Sequence, residues 1–183
     1  MTQNIELADI GLIGLGVMGI NLAKNFAEKG FSVIGHDSSP SHAMNETAIY
    51  VHSQLKDFVR NLAKPRKILF LVPAGQTVEE VIQSLVPFLE PEDLIVKAGN
   101  SHFEDTKRRS QELATKKINY LGLGVSGGED GARNGASFMA GGKPDIFKNI
   151  KPFLEAAAAR DPENNICAKR VGNAAEVGHW VKM

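Results

Sequence analysis

Short apolar runs along this chain give way repeatedly to stretches with helical spacing, and that alternation predicts an α/β fold built on a mostly parallel sheet. The first run, Asp9-Ile10-Gly11-Leu12-Ile13, enters a glycine-rich turn and then a helix-compatible stretch from Ile20 to Lys29. Phe31 to Asp37 reads as a second short strand, and Leu55 to Leu62 as a helix that stops before Pro65. Lys67 to Val72 is continuously apolar after its first residue, as in a strand buried on both faces. Thr77 and Glu80 have capping-box spacing and predict a helix running to about Phe88. Pro91-Glu92-Asp93 is a turn, Leu94 to Val96 a strand, Asp105 to Lys116 a polar helix, and Tyr120 to Val125 a further strand. Ser137 to Ala140 adds a strand, and Ile146 to Ala159 carries helical turns interrupted at Pro152.

The glycine-rich turn is the most specific of these segments. Gly14-Leu15-Gly16-Val17-Met18-Gly19 is a G-x-G-x-x-G pattern placed between a strand and a helix, the context that makes it a dinucleotide-binding signature. Gly14 serves the tight turn, Gly16 lets backbone approach a pyrophosphate, and Gly19 lets the helix pack closely on the strand. The unpaired N–H groups and the dipole at the helix start favour phosphate there. An ordinary turn would use the same glycines. Asp37 is the second signal, because it ends the second strand where an acidic residue accepts hydrogen bonds from the adenosine ribose. A carboxylate there repels a 2′-phosphate, so the cofactor expected is NAD rather than NADP. Asp37, followed by Ser38, Ser39 and Pro40, would also suit a simple turn. Together the pattern predicts a Rossmann-type, doubly wound sheet.

In such a sheet ligands bind beyond the carboxyl ends of the strands. Three irregular segments occupy those ends: Pro73-Ala74-Gly75-Gln76, Gly99-Asn100-Ser101, and the stretch from Ser126 to Gly135. Ser126, Gly127 and Gly128 combine a hydroxyl with accessible backbone N–H groups, a concavity suited to a carboxylate or phosphate oxygen, or simply a glycine-rich hairpin. Asn100 offers a donor and an acceptor together, or a turn. Lys182 could act as a general base if burial lowers its pKa, although spacing alone reads as a solvated lysine. His179 reads as packing.

Composition narrows the partners. The 183 residues suffice for one buried core, and 21 basic residues balance 21 acidic ones, so no nucleic-acid footprint is visible. One cysteine, Cys167, leaves no internal disulfide and fits a reducing compartment. No signal peptide or bilayer-length apolar run is present, which gives an expectation of a soluble, cytoplasmic chain without membrane partners. The five histidines show no metal-ligand spacing, so no metal is expected.

Gly14 to Gly19, Val72-Pro-Ala-Gly-Gln76, Gly99-Asn-Ser101, Gly124-Val-Ser-Gly-Gly-Glu-Asp-Gly-Ala-Arg133 and Gly178-His-Trp-Val-Lys-Met183 resemble the 6-phosphogluconate dehydrogenases, in that family's order. The resemblance implies oxidative decarboxylation of 6-phosphogluconate to ribulose 5-phosphate in the pentose phosphate pathway, with a nicotinamide cofactor and without metal. It implies that Lys182 takes the proton of the C3 hydroxyl and that Asn100, Ser126, Gly127 and Gly128 contact substrate. Gly14, Leu15, Gly16, Val17, Met18, Gly19, Asp37, Ser38, Ser39, Pro73, Ala74, Gly75 and Asn100 are implied to contact the cofactor. NADP-using members carry Asn-Arg-Thr at Asp37-Ser38-Ser39, and the missing arginine again favours NAD. Pro73 replaces a lysine common in the family, and Lys97-Ala98 stands where Asp-Gly is usual. The family continues past the Lys-Met pair into a helical domain that completes the substrate site and forms a homodimer. Residues 1–176 are thus expected to be the dinucleotide-binding domain, 177–183 the start of a connecting helix, and the chain alone a cofactor binder with negligible turnover. The alternatives are another β-hydroxyacid dehydrogenase, such as a 3-hydroxyisobutyrate dehydrogenase, or a non-catalytic dinucleotide-binding module.

Overall fold

The structure, a computed structural model, describes residues 7–38 and 49–183. Its strands form one sheet of eight in the order β3-β2-β1-β4-β5-β6-β7-β8. These are β1 (Ile10–Ile13), β2 (Val33–His36), β3 (Tyr50–His52), β4 (Lys67–Phe70), β5 (Leu94–Ala98), β6 (Asn119–Ser126), β7 (Ser137–Gly141) and β8 (Ala168–Gly172). All neighbouring pairs are parallel except β6 with β7. Strand order reverses between β1 and β4, and a crevice opens there at the strands' carboxyl ends.

The helices are α1 (Val17–Glu28), α2 (Leu55–Arg60), α3 (Gln76–Leu85), α4 (Phe103–Ala114), α5 (Gly128–Asn134), α6 (Pro144–Ala157) and α7 (Val177–Lys182). Alternate strand residues feed two cores. Ile10, Leu12, Leu69, Val96 and Leu121 pack with Leu22, Phe26 and Leu154 of α1 and α6. Ile13, Ile68, Phe70 and Ile95 face the other way, against Phe58, Val78 and Leu113 of α2, α3 and α4. Burial on both faces explains why the central strands read as unbroken apolar runs. Among the described residues, no helix is long and apolar enough to cross a membrane.

Several boundaries differ from the sequence expectation, each for a local reason. The Thr77–Glu80 capping box does not form. Gly75, at φ +91°, takes the N-cap position of α3 two residues earlier, leaving Thr77 inside the first turn. The helix ends at Leu85 and a single 3₁₀ turn covers Val86–Phe88. Pro152 does not interrupt α6: it lies on the exposed side, where the carbonyl it leaves unbonded is solvated, while Phe147, Ile150, Phe153 and Leu154 hold the other face. The stretch read as irregular from Ser126 to Gly135 contains α5. The edge strands β3 and β8 were not expected; Tyr50-Val51-His52 is too short to show a period, and Ala168 to Gly172 carries two cations.

At the far end of the sheet, α7 lies directly on β6 and β7 because glycines face one another. A Cβ on Gly178 would sit 2.2 Å from the Gly122 carbonyl oxygen and 2.6 Å from the Gly141 nitrogen, and one on Gly122 would sit 2.3 Å from the Ala175 carbonyl oxygen. No side chain fits between these backbones. Gly178→Ala is therefore expected to lower stability by about 1–3 kcal/mol, the usual cost of overpacking. Urea unfolding measures this, and an unchanged midpoint would show that α7 does not depend on the contact.

Candidate functional site

The cleft is built outward from the turn after β1. Gly14 adopts φ +90°, and a Cβ there would meet the Leu71 backbone at 2.9 Å. A Cβ on Gly19 would fall 1.9 Å from the Gly14 carbonyl oxygen, so the first turn of α1 rests on the end of β1. At Gly16 a Cβ would meet nothing within 4 Å: the space over this residue is open. Gly16 is also the N-cap of α1 and has no side-chain cap, so the first N–H groups of the helix remain available to an anion. That is the arrangement a pyrophosphate requires.

Asp37 follows β2, and its Oδ2 accepts a hydrogen bond from the Leu15 nitrogen at 2.6 Å. The carboxylate is thereby held against the turn, beside Ser38 at the wall of a cleft of about 1140 Å³. Gly14, Gly16, Val17, Met18 and Gly19 line one side of this cleft, and Pro73 and Ala74 its floor. Asn100, Ser126, Gly127, Gly128 and Lys182 line the other side. Two expected residues sit elsewhere. The Leu15 side chain is buried against Gly35, so only its backbone serves the turn. Gly75 lies behind the wall, with its carbonyl taken by Arg109. Ser39 lies outside the described residues.

At the β5–β6 end, the Lys182 Nζ donates to the Asn100 Oδ1 at 2.6 Å across 82 positions of sequence. The amine is half-buried, and desolvation lowers its pKa from the ordinary lysine value, which favours the neutral form a proton acceptor needs. Its stem lies over Gly124, where a Cβ would come within 2.9 Å of the Lys182 Cβ. Beneath it His179 is buried, with Nε2 3.1 Å from the Lys97 carbonyl oxygen and Nδ1 2.8 Å from the Thr106 hydroxyl. Burial holds its pKa down to about 4, so at neutral pH it is an uncharged imidazole. The Lys97 carbonyl can only accept, which puts the proton on Nε2 and makes Nδ1 the acceptor of the Thr106 hydroxyl. This bears out the reading of His179 as a packing residue.

Arg109 and Thr106 escaped the sequence reading of the site, and Lys97 entered it only as a departure from the family's usual Asp-Gly. Lys97 lines the cleft, Arg109 braces it from behind, and Thr106 orients His179. Only Lys97 left a sign, as a charge within the apolar run of β5. Among the described residues, no group of three or more His, Cys, Asp or Glu side chains is placed to hold a metal ion.

An eight-stranded doubly wound sheet with an uncapped glycine turn and a carboxylate at the end of β2 defines a dinucleotide-binding domain of the Rossmann class. Residues 9–172 match the family described as the NAD binding domain of 6-phosphogluconate dehydrogenase, and the chain belongs to that family. It is 46% identical to the decarboxylating 6-phosphogluconate dehydrogenase of Schizosaccharomyces pombe, over 97% of this chain and 37% of that protein. It is 44% identical to the NAD(+)-dependent decarboxylating enzyme of Bacillus subtilis, over 95% of this chain and 38% of that protein. The chain thus spans little more than a third of the length of these relatives. The Plasmodium falciparum 6-phosphogluconate dehydrogenase, described apo, with NADP+ and with 6-phosphogluconate, superposes with a TM-score of 0.89 at 36% identity, over 95% of this chain and 38% of that one. A 3-hydroxyisobutyrate dehydrogenase of Mycobacterium tuberculosis, at 22% identity and a TM-score of 0.82, shares the fold.

The His179 environment predicts a pH dependence of stability. Its folded pKa, about 4, lies below the ordinary 6.5, so the unfolded chain takes up a proton first as pH falls. The stabilisation is complete above pH ~6.5 and lost towards pH ~4, amounting to about 2 kcal/mol between pH ~7.5 and ~5. Chemical denaturation across that range should show this slope in the wild type and a flatter one in His179→Gln; equal slopes would show that His179 is not the group responsible.

Proposed function

We propose that this chain is the cofactor-binding part of an NAD-preferring decarboxylating 6-phosphogluconate dehydrogenase, whose full-length form is a homodimer as the resemblance implies. The observation that carries the reading is the Lys182–Asn100 hydrogen bond, which joins a desolvated amine to the cofactor cleft beside Ser126, Gly127 and Gly128. In this reading the backbone around Gly16 holds the pyrophosphate and Asp37 the adenosine ribose. A nicotinamide held in this cleft would supply the hydride acceptor. Lys182 accepts the hydroxyl proton from the carbon that loses the hydride, and its protonated form then donates a hydrogen bond to the ketone oxygen during loss of carbon dioxide. Asn100 aligns the lysine through Oδ1 and keeps its amide N–H groups for substrate or cofactor. Ser126 and the N–H groups that follow it offer donors to the sugar acid.

Calorimetric titration tests the cofactor assignment. NAD should bind more tightly than NADP, because Asp37 repels a 2′-phosphate and no arginine stands at Ser38. The double substitution Asp37→Asn with Ser38→Arg should shift the NAD-to-NADP preference by about tenfold or more, since one close charge contact is worth ~1–4 kcal/mol. Wild-type preference for NADP would overturn the role given to Asp37. The substrate class is tested through Lys182 itself. After reductive methylation, its NMR signal in the NAD-loaded chain should move on addition of 6-phosphogluconate and stay in place with 3-hydroxyisobutyrate. The reverse result would assign the site to the other substrate class.

A further inference from the structure

Two buried cations are spent on the same pair of loops. One loop leads from β4 to α3 through Val72 and Gly75, and the other from β5 to α4 through Gly99 and Ser101. Lys97, only 1% exposed, donates from Nζ to the Val72 carbonyl at 3.1 Å and the Ala98 carbonyl at 2.7 Å. Arg109 of α4, also 1% exposed, joins the loops again farther from the sheet. Its Nη2 donates to the Gly75 carbonyl at 3.2 Å and its Nη1 to the Ser101 hydroxyl at 3.1 Å. Arg109 is paired with Glu79. Burial, and after it the neighbouring cations Arg109 and Lys182, lowers the pKa of Lys97 to about 8. A lysine buried among like charges costs stability, so its presence at the cleft calls for a return in geometry.

The position of the tie indicates what that return is. A dinucleotide crosses the crevice at the point where strand order reverses, between β1 and β4. Asp37, at the end of β2, takes the adenosine side, so the nicotinamide side extends over the ends of β4 and β5. We propose that Lys97 is a positioning residue for the nicotinamide half of the cleft: by tying Val72 to Ala98 it sets the separation of the two loops and, through the second, the place of Asn100 opposite Lys182. This rests on the dinucleotide reading above. The adenosine and pyrophosphate half is built on β1, α1 and β2, none of which supplies a partner to the Lys97 Nζ.

The inference separates two ligands that a general loss of structure would not. NAD occupies both halves of the cleft, whereas ADP carries only the adenosine and the two phosphates. Calorimetry on the wild type, Lys97→Met and Lys97→Gln gives the affinities of each. Lys97→Met should weaken NAD by about tenfold, the effect of losing two carbonyl hydrogen bonds, and leave ADP within about twofold. Lys97→Gln, which keeps a shorter donor, should fall between, and it carries the same comparison if the methionine variant does not fold. An unchanged ratio of NAD to ADP affinity in these variants overturns the inference and leaves the dinucleotide reading standing, as does an equal loss for both ligands. Failure of the wild type to bind any nicotinamide dinucleotide overturns that reading, and this inference with it.

Discussion

Close approach of backbone to backbone, possible only where side chains are missing, is the constraint on which the cleft depends. It operates at both ends. Gly19 rests on the Gly14 carbonyl, which aims the first N–H groups of α1 into open space over Gly16. Gly178 rests on Gly122 and Gly141, which sets the last turn of α7 against β6 and carries Lys182 to the strand ends. Gly19 and Gly178 are more than 150 residues apart in sequence, yet Gly19 and Lys182, one turn beyond Gly178, line the same cleft. A methyl group at either would separate a helix from the sheet and with it a functional group from the cleft.

Between these fixed ends the walls are held by polar ties rather than by apolar packing. Asp37 bonds to the turn nitrogen of Leu15, Lys97 to the ends of β4 and β5, Arg109 to the loops beyond them, and Asn100 to Lys182. Loops at strand ends carry carbonyls and N–H groups that no neighbouring strand pairs, and the Asp37, Lys97 and Arg109 side chains satisfy some of these, while the Asn100–Lys182 bond joins two side chains. A wall held by directional bonds keeps its shape while leaving space between its members, which a close-packed apolar wall would fill.

The charge balance of the cleft follows from the same arrangement. The β5–β6 side gathers Lys97 and Lys182 with Arg109 behind, and burial lowers the pKa of both lysines. His179 beneath them stays neutral for the same reason. A cleft of this kind favours anionic ligands, and desolvation makes its Lys182 amine easier to deprotonate than an ordinary lysine. The Asp37 carboxylate, at the end of β2, puts the opposite charge at the other end of the cleft.

The doubly wound sheet, the glycine turn with Asp37, and the gathering of three loops at one crevice were legible in the sequence, because each depends on local pattern: apolar period, glycine spacing, and an acidic residue at a strand end. Asn100 was legible as a donor and acceptor in a loop at a strand end, whereas Lys182 stood out only through family resemblance, since nothing in its local sequence distinguishes it from a solvated lysine. What folding decided is the set of relations between distant segments. Lys97, a charge inside an apolar strand, becomes a tie only because β4 ends within reach of it. Gly122 and Gly178 matter only as a facing pair. Leu15, which belongs to the glycine motif, bonds to Asp37 through its backbone nitrogen while its side chain packs on Gly35. Local pattern encodes which segments become strands and helices; the contacts that make a site join residues whose proximity no local pattern records, and close packing of the whole chain is what determines them.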